Sequence, residues 1–306
     1  MTLIFATRPS ALARWQTQWV MAELQRLWPG LECREEVVTT RGDRTLDKPL
    51  PEIGGKGLFT RELETEILSG RVQAAVHSLK DLPVESLPEL PVAAVPARAE
   101  ARDALISADG RCLSDLPAGA RVGTSSLRRG AQLLARRPDL RIESLRGNVD
   151  TRLRKVKEGL YDAIILAGAG LVRLGLEAAV TEWLPLDLML PAPGQGALAV
   201  QCRAGDEETI QRLAVLESPE ARLAITAERA FLAGLGAGCS LPVAAYAVIV
   251  AGPSGPEIRL EGLVASPDGS RVIRLQGHGP NPQTLGLELA GQAREQGADE
   301  LLAQRP

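Results

Sequence analysis

Arginine and hydroxyl side chains are concentrated in one part of this chain. Between Arg121 and Lys157 there are 11 Lys/Arg residues against 3 Asp/Glu, whereas the whole protein has a net charge of −3. Thr124, Ser125 and Ser126 stand where a predicted strand gives way to a helix. Helix N-termini present free N–H groups to anions, and guanidinium groups bind carboxylates through paired hydrogen bonds. This pattern favours a site for a small molecule that carries several carboxylates or phosphates.

The basic segment is also compatible with two roles besides an anion site. The first is a solvated helix face whose cations pair with nearby carboxylates, which is the usual role of a charge run. The second is a nucleic-acid surface, but such surfaces usually add aromatic stacking. Aromatic residues make up only 3% of the chain, and none lies between Arg121 and Lys157. The sequence therefore argues against nucleic acid and leaves the solvated helix open.

A second group of residues that could take part in catalysis follows the predicted strand at 72–78. The motif "HSLKDLP" places Lys80 and Asp81 directly after that run. A carboxylate there could stabilise a developing cation or move a proton, while the lysine orients an anionic group. A local surface ion pair is the simpler alternative. Arg8 and Ser10 occupy the matching position after the first predicted strand.

Cys239 has a setting that the other three cysteines lack. It lies in "GAGCSLPV", between a predicted helix and a predicted strand. A lone cysteine is usually a small buried hydrophobic residue, but flanking glycines permit an exposed loop thiol. The four cysteines and two histidines are widely spaced, which argues against a metal site or a Ser-His-Asp triad.

The composition indicates a globular protein. With 45% hydrophobic residues, the chain can bury a large core in two or three domains. No apolar run reaches the roughly 18 residues that a membrane span needs. Arg8 comes too early for a signal peptide, so we expect a cytoplasmic protein with free thiols.

The elements that must position these residues alternate between strands and helices. Over the first two-thirds of the chain this alternation predicts βαβ units and a mostly parallel sheet. "FATRPSALARWQ" is similar to "VGTSSLRRGAQL", and "GRVQAAVHSLKDL" to "GLYDAIILAGAGL", which predicts two halves of like design. Residues that follow successive parallel strands collect at one edge of a sheet, where ligands bind. We expect the basic and acidic groups named above to lie at such edges.

The remaining third has the pattern of a small α+β domain. From residue 218 it predicts a helix, three strands with a "PDG" turn between the last two, and one closing helix. Proline-rich stretches at 82–103 and 190–203 mark places where the chain could pass between the first two domains. Residues 41–59 are rich in Gly, Pro and charge, and form either a mobile lid or a plain surface loop.

Together these motifs resemble the porphobilinogen deaminase family, also called hydroxymethylbilane synthases. The matching phrases run in order from Ala6 to Ala247 and include "ATRPSALARWQ", "TRGD", "AVHSLKDLP", "VGTSSLRR", "SLRGNVDTRL", "LPAPGQGALAV", "TAERAFL" and "GCSLPVAAYA". The resemblance implies two periplasmic-binding-protein-like (type II) α/β domains flanking a cleft, plus a small α+β C-terminal domain with a three-stranded antiparallel sheet. The implied boundaries are 1–97 with 197–216, then 98–196, then 217–306.

The resemblance also implies an activity and a cofactor. The enzyme would be a transferase that joins four porphobilinogen molecules head to tail, releasing ammonia from each, to give hydroxymethylbilane for tetrapyrrole biosynthesis. A dipyrromethane cofactor would be attached to Cys239 through a thioether. Every porphobilinogen carries an acetate and a propionate, so the basic segment would bind a string of carboxylates. A monomer without metal, nucleic-acid or membrane partners is expected.

The family's residue roles, carried to matching positions, imply one catalytic group and two binding sets. Asp81 would be catalytic, because a carboxylate that accepts pyrrole N–H bonds stabilises positive charge on the pyrrole nitrogen and can relay protons. The set that holds the cofactor would be Cys239, Ser78, Lys80, Asp81, Thr124, Ser125, Ser126, Arg128, Arg129, Arg146, Gly147 and Arg152. The set that binds substrate would be Arg8, Ser10, Gln16, Lys56, Arg146, Arg152, Arg173 and Gln195, with Lys56 in the lid.

Two classes of protein with the same two-lobed architecture are rivals to the enzyme. A solute-binding protein for a small polyanion would give no reason for Cys239 and would carry an export signal. A ligand-sensing domain of a transcription regulator would need an attached helix-turn-helix, for which residues 1–9 leave no room. We rank the deaminase above both.

Overall fold

The structure is a computed structural model that describes residues 2–44, 57–85, 87–236, 241–252 and 255–304. The chain divides into two compact units. Unit 1 comprises the described residues up to Ala99 together with Ala197–Arg222, and unit 2 comprises Glu100–Gly196 together with the described residues from Leu223 onward. The division into three domains stays a prediction.

Strands and helices alternate along the chain as the hydrophobic periodicity predicts. The strands are β1 (Thr2–Thr7), β2 (Glu32–Val37), β3 (Ala74–Ser78), β4 (Val92–Ala94), β5 (Asp103–Ser107), β6 (Arg121–Gly123), β7 (Arg141–Glu143), β8 (Ala163–Ala167), β9 (Glu182–Trp183), β10 (Leu198–Cys202), β11 (Val243–Gly252), β12 (Gly255–Ala265) and β13 (Val272–Gly279). The helices are α1 (Ala11–Leu27), α2 (Arg41–Arg44), α3 (Arg61–Leu68), α4 (Leu127–Arg136), α5 (Val149–Lys157), α6 (Gly168–Arg173), α7 (Glu207–Ala214), α8 (Pro219–Gly234), α9 (Pro282–Glu295) and α10 (Ala298–Ala303).

Unit 1 is built on a five-stranded sheet of order β2-β1-β3-β10-β4. The first three strands are parallel, and β10 runs antiparallel to both of its neighbours. Successive side chains of β1 enter different cores because strand residues alternate between the two faces of a sheet. Phe5 packs in one cluster with Val20 and Leu24 of α1, and Ala6 packs in another with Leu63 of α3. The sheet is therefore covered on both faces.

Unit 2 repeats this strand order with different segments of the chain. Its five-stranded sheet has the order β7-β6-β8-β5-β9, in which β7, β6 and β8 are parallel and β5 runs antiparallel to β8. In this repeat β6 and α4 correspond to β1 and α1, while β8 corresponds to β3. The predicted pair of like halves is confirmed.

The C-terminal third forms the predicted antiparallel sheet of order β11-β12-β13, with α9 packed on it. One expectation was wrong, because the closing helix is two helices. Gly297 separates α9 from α10 with φ +93°, a left-handed conformation that glycine adopts without steric cost. None of the helices in the described residues has the length and apolar character needed to cross a membrane.

The segment at 41–59 also departs from the expectation of a continuous loop. Arg41–Arg44 form the short helix α2, and β2 ends at Val37, earlier than the apolar pattern predicted. The described chain resumes at Gly57 and leads into α3. The predicted lid therefore lies largely outside the described residues.

Candidate active site

In unit 2, the expected anion-binding residues lie at the carboxyl ends of three neighbouring strands. Thr124–Ser126 follow β6, Arg146 and Gly147 come after β7, and Arg173 ends the helix that follows β8. Because β6 pairs in parallel with both β7 and β8, the segments that follow these strands emerge at the same edge of the sheet. The topology therefore brings these residues together as a set.

The three hydroxyl residues shape this edge through hydrogen bonds of their own. Ser126 is the N-cap of α4, and its Oγ accepts a bond from Arg129 N at 3.4 Å. Thr124 Oγ1 accepts a bond from Ser126 N at 3.2 Å. Ser125 Oγ donates to Leu145 O at 2.8 Å and accepts from Leu145 N at 3.1 Å. Ser125 thus ties the loop after β6 to the segment after β7.

Arg128 and Arg129 are buried and share one carboxylate. Arg129 Nη2 and Nε lie 2.7 and 3.1 Å from Asp103 Oδ1, and Arg128 Nη1 lies 2.8 Å from Asp103 Oδ2. The same Nη1 of Arg128 donates to Leu190 O at 2.7 Å, and Arg129 Nη1 donates to Ile165 O at 3.1 Å. Burial disfavours ionised Asp103, but the two guanidinium groups outweigh it and hold the pKa of this carboxyl below its ordinary value. Burial lowers the pKa of Arg128.

Asp103 is a site residue that the sequence analysis missed. It begins β5, which runs antiparallel to β8, and it pairs with Ala167 at the end of β8. The first residue of β5 therefore reaches the edge at which the parallel strands end. The signal available in the sequence was an acidic residue directly before the apolar run "ALI" of the strand "DALIS".

Gln195 belongs to the same cluster and is fully buried. Its Nε2 donates to Asp103 Oδ1 at 2.9 Å and to Ala101 O at 2.7 Å. Both hydrogens of its amide are thus directed into unit 2. Gln195 is therefore buried beside Asp103, the carboxylate that binds Arg128 and Arg129.

Arg173 is also buried, but unlike Arg128 and Arg129 it has no carboxylate partner among the described residues. Its side chain is 8% exposed, and its Nη2 donates to Gly196 O at 2.7 Å. Within the described residues no carboxylate pairs with this guanidinium group. Burial lowers its pKa to about 10, so the group still carries its charge at neutral pH.

Arg146 and Gly147 lie in the turn between β7 and α5, and Arg152 lies in α5 itself. Gly147 has φ +116°, and a Cβ atom there would lie 2.7 Å from Cγ2 of Thr151, so only glycine fits. Arg152 Nε donates to Gly147 O at 2.7 Å. Burial lowers the pKa of Arg146. The tight turn at Gly147 thus leads from Arg146 directly into the helix that carries Arg152.

In unit 1, Arg8 forms a two-pronged ion pair directly after β1. Its Nη2 lies 2.5 Å from Asp43 Oδ1 and its Nε lies 3.2 Å from Asp43 Oδ2. Thr40 donates to Asp43 Oδ2 from its hydroxyl at 2.7 Å and from its N–H at 3.1 Å. Burial opposes ionisation of Asp43, but these bonds outweigh it and lower its pKa. The guanidinium carbon of Arg8 lies 4.2 Å from the ring centroid of Phe59, a cation–π contact.

The other expected residues of unit 1 lie at the ends of β1 and β3. Ser10 is the N-cap of α1, and Gln16 of the same helix is buried and donates from Nε2 to Ser78 Oγ at 2.9 Å. Lys80 and Asp81 occupy the short 3-10 helix that follows β3. Asp81 is exposed, and within the described part of the chain its carboxylate forms no hydrogen bond or ion pair.

Two expected residues, Cys239 and Lys56, lie outside the described residues. Cys33, Cys112 and Cys202 are free thiols. In the described ranges, no group of three His, Cys, Asp or Glu side chains could hold a metal ion.

Comparison with known proteins decides the family. A model described as "Porphobilinogen deaminase, dipyromethane cofactor binding domain" matches residues 3–211, and one described as "Porphobilinogen deaminase, C-terminal domain" matches residues 222–295. The chain belongs to the porphobilinogen deaminase family. A porphobilinogen deaminase of Brevibacillus brevis is 48% identical over 97% of this chain and 96% of the relative. One from a Roseiflexus species is 52% identical over 99% of both.

Solved structures with similarity to the chain include a substrate-binding domain of a putative molybdenum ABC transporter from Clostridium difficile. It is 12% identical, with a TM-score of 0.43, over 72% of this chain and 93% of that one. The Bordetella pertussis BvgS VFT2 domain is 17% identical, with a TM-score of 0.39, over 70% and 85%. Such distant similarities carry no information on ligand or activity. These comparisons and the sheet topology confirm four predictions made from the sequence. They are the family, the transferase class, the α/β fold class and the dipyrromethane cofactor of porphobilinogen deaminases.

Proposed function

We propose that this chain condenses four porphobilinogen molecules head to tail, releasing ammonia from each, to give hydroxymethylbilane. The observation that carries this proposal beyond the family is Arg173, whose buried guanidinium pairs with no carboxylate in the described ranges. A buried charge without a counter-charge is costly, so the site is complete only when an anion binds. Porphobilinogen supplies two carboxylates, and guanidinium groups bind carboxylates well.

The donor set of unit 2 fits a dipyrromethane group with its carboxylates. When bound, the dipyrromethane supplies a free pyrrole α-carbon to which the first substrate is joined. Cys239 holds it through a thioether, and the hydroxyls and arginines at the sheet edge bind its carboxylates. The residues proposed to hold the group besides Cys239 are Ser78, Lys80 and Asp81 of unit 1 and Thr124, Ser125, Ser126, Arg128, Arg129, Arg146, Gly147 and Arg152 of unit 2. Among them Asp81 accepts pyrrole N–H bonds rather than binding a carboxylate. The support is that hydroxyl and guanidinium donors of this set share one sheet edge in unit 2.

Asp81 is the proposed catalytic residue. As the bond from the aminomethyl carbon to ammonia breaks, positive charge develops on the substrate's pyrrole nitrogen, and Asp81 accepts the N–H of that ring. After the new carbon–carbon bond forms, a proton leaves the attacking α-carbon, and Asp81 accepts it and passes it to solvent. The support for this role is a carboxylate that is exposed and has no partner among the described residues.

The incoming substrate is proposed to be bound by a second set of residues. These are Arg8, Ser10, Gln16, Lys56, Arg146, Arg152 and Arg173. Arg8 already binds a carboxylate, that of Asp43, through two nitrogens. A carboxylate of porphobilinogen presents the same pair of acceptors. We further propose that the enzyme is a cytoplasmic monomer without nucleic-acid or membrane partners. The solute-binding alternative has weaker support, because the family match points to the deaminase.

The decisive experiment is the intact mass of the denatured full-length protein beside two variants, Cys239→Ser and Cys33→Ser. An adduct of two linked pyrroles is expected on the wild type and on Cys33→Ser, which removes a half-buried thiol elsewhere. It is expected to be absent from Cys239→Ser. If the wild type is bare, it is weighed again after incubation with porphobilinogen or preformed hydroxymethylbilane. A mass that still does not change contradicts the proposed function.

A further inference from the structure

The arginine pair of unit 2 carries more positive charge than its carboxylate neutralises. Asp103 is fully buried, and Arg128 and Arg129 are 4% and 6% exposed. Within the described residues, no second carboxylate pairs with either guanidinium. The cluster therefore buries two cations against one anion, and one unit of positive charge remains.

We infer that Asp103 is a positioning residue, supported by Gln195, that fixes both guanidinium groups and leaves one positive charge for one carboxylate of the bound pyrrole chain. This inference rests on the proposed function. It also gives Gln195 a role different from the substrate contact that the family resemblance implied.

Both carboxylate oxygens of Asp103 face guanidinium donors, which fixes the orientation of the group, although Oδ2 forms an ion pair without a hydrogen bond. Oδ1 accepts from Nε and Nη2 of Arg129 and from Nε2 of Gln195, and Oδ2 faces Nη1 of Arg128. An asparagine at this position would replace one oxygen with an NH₂ donor. At least one guanidinium would then face a donor instead of an acceptor, and the cluster would hold two uncompensated charges.

Backbone carbonyls complete the anchoring of the pair. Leu190 O accepts from Arg128, and Ile165 O accepts from Arg129. Gln132 holds Leu190 in turn, by accepting from its N–H at 2.8 Å and donating to its carbonyl at 3.0 Å. Nε and Nη2 of Arg128 form no hydrogen bond with any described residue. These donors are left for a ligand carboxylate.

A brace that serves only folding would lower stability without changing how the folded protein takes up its pyrrole group. The test therefore measures uptake. Full-length wild type, Asp103→Asn and Gln195→Met are produced in a host that makes no porphobilinogen, and preformed hydroxymethylbilane is added. The rate at which the intact mass of the protein increases is recorded below the unfolding midpoint of every variant. Asp162→Asn is the control, since Asp162 pairs with Arg121 in the same unit but outside the cluster.

Asp103→Asn is expected to slow uptake by about tenfold and Gln195→Met by about threefold, because each loses hydrogen bonds to a charged group. Asp162→Asn is expected to match the wild type. Uptake by Asp103→Asn at the wild-type rate would overturn the inference and leave Asp103 a folding brace. If Asp103→Asn does not fold, Gln195→Met decides, and a wild-type rate there has the same meaning. A wild type that never gains mass contradicts the proposed function itself.

Discussion

The two units use the same chemistry, arginine bound to aspartate at the end of a strand, in two different settings. In unit 1 the side chains of Arg8 and Asp43 are 21% and 11% exposed, and the charges balance one to one. In unit 2 the carboxylate of Asp103 is fully buried between two arginines. Solvent screens the first pair, whereas a buried pair depends on its partners for the loss of hydration. The first can release its carboxylate at small cost and the second cannot.

This difference assigns different tasks to the two pairs. A balanced, partly exposed pair can exchange its carboxylate for that of a substrate that binds and leaves in every cycle. A buried pair with excess positive charge keeps its own carboxylate and adds one from a group that stays bound. We therefore expect substitutions in the Arg8–Asp43 pair to change activity more than stability, and substitutions around Asp103 to change both.

The largest effect is expected from Asp81→Asn. Asparagine keeps the shape of the side chain but can neither balance a developing cation nor carry a proton. The rate constant kcat for hydroxymethylbilane formation should fall about 10³-fold. The free energy of unfolding should not change, because Asp81 is exposed and has no partner in the described part of the chain. Ammonia release and urea unfolding are measured on the same preparation, with Glu89→Gln as an exposed control in unit 1. A kcat within tenfold of the wild type would remove Asp81 from the chemistry.

The next largest effect is the loss of stability in Asp103→Asn. Removing one partner from a buried ion pair costs about 3–5 kcal/mol, because the other charge is left without compensation. The free energy of unfolding should fall by an amount in this range in urea, with the variant still folded in its absence. Asp162→Asn, which breaks a partly exposed pair in the same unit, should lose less than about 1 kcal/mol. If Asp103→Asn and Asp162→Asn lost the same free energy of unfolding, burial would not make the Asp103 ion pairs stronger than the partly exposed pair of Asp162.

Acid should affect unit 1 through His77, which is buried in β3. Burial, and to a lesser extent the charge of Arg8, lower the pKa of His77 to about 4, although the neighbouring amide of Gln201 opposes this. The unfolded chain, with its ordinary value near 6.5, therefore binds the proton first. Stability from neutral His77 is complete above pH 6.5 and is lost as the pH falls toward 4. The loss should reach about 3 kcal/mol, since one pKa unit corresponds to about 1.4 kcal/mol.

His77→Gln should remove most of this loss, and urea unfolding across the same pH range measures it. Unit 2 offers the contrast, because the pKa of Asp103 lies below its usual value and this carboxylate stays ionised through the range. Trp15, Trp19 and Trp28 report on unit 1 by fluorescence, and Trp183 reports on unit 2. If the two units lose stability in parallel with and without His77, this histidine is not the acid-sensitive group.

The sequence predicted the elements and the repeated design well, because both depend on local patterns. Alternating apolar residues, the serine before α1 and the "PDG" turn act over a few residues. The residues that follow β1, β3, β6, β7 and β8 could be placed at sheet edges for the same reason. The two-helix closure was not predicted, because a single glycine at position 297 looked compatible with a continuous helix.

The partners of the arginines could not be predicted, because pairing over long sequence separations depends on topology. Asp43 lies 35 residues from Arg8, and the motif "TRGD" gives no sign that they meet. Asp103 reaches Arg128 and Arg129 only because β5 runs antiparallel to β8, a direction that its apolar run does not encode. Gln195 was predicted to contact substrate, and that role stays a prediction. Its burial is visible only once the surrounding strands are placed.

The smallest effect, and the sharpest test of the comparison, is that of Asp43→Asn. The pair is partly exposed, and Arg8 keeps its contact with Phe59, so the free energy of unfolding should fall by less than about 1 kcal/mol. Asparagine still accepts a hydrogen bond from Arg8 but no longer offers a negative charge that competes with the substrate. The KM for porphobilinogen should therefore fall by about threefold with kcat unchanged, and less so at high salt. Steady-state kinetics at two salt concentrations measure this, with Glu89→Gln as the control. A higher KM together with a stability loss above about 2 kcal/mol would make Asp43 a fixed support like Asp103, and the two pairs would then share one task.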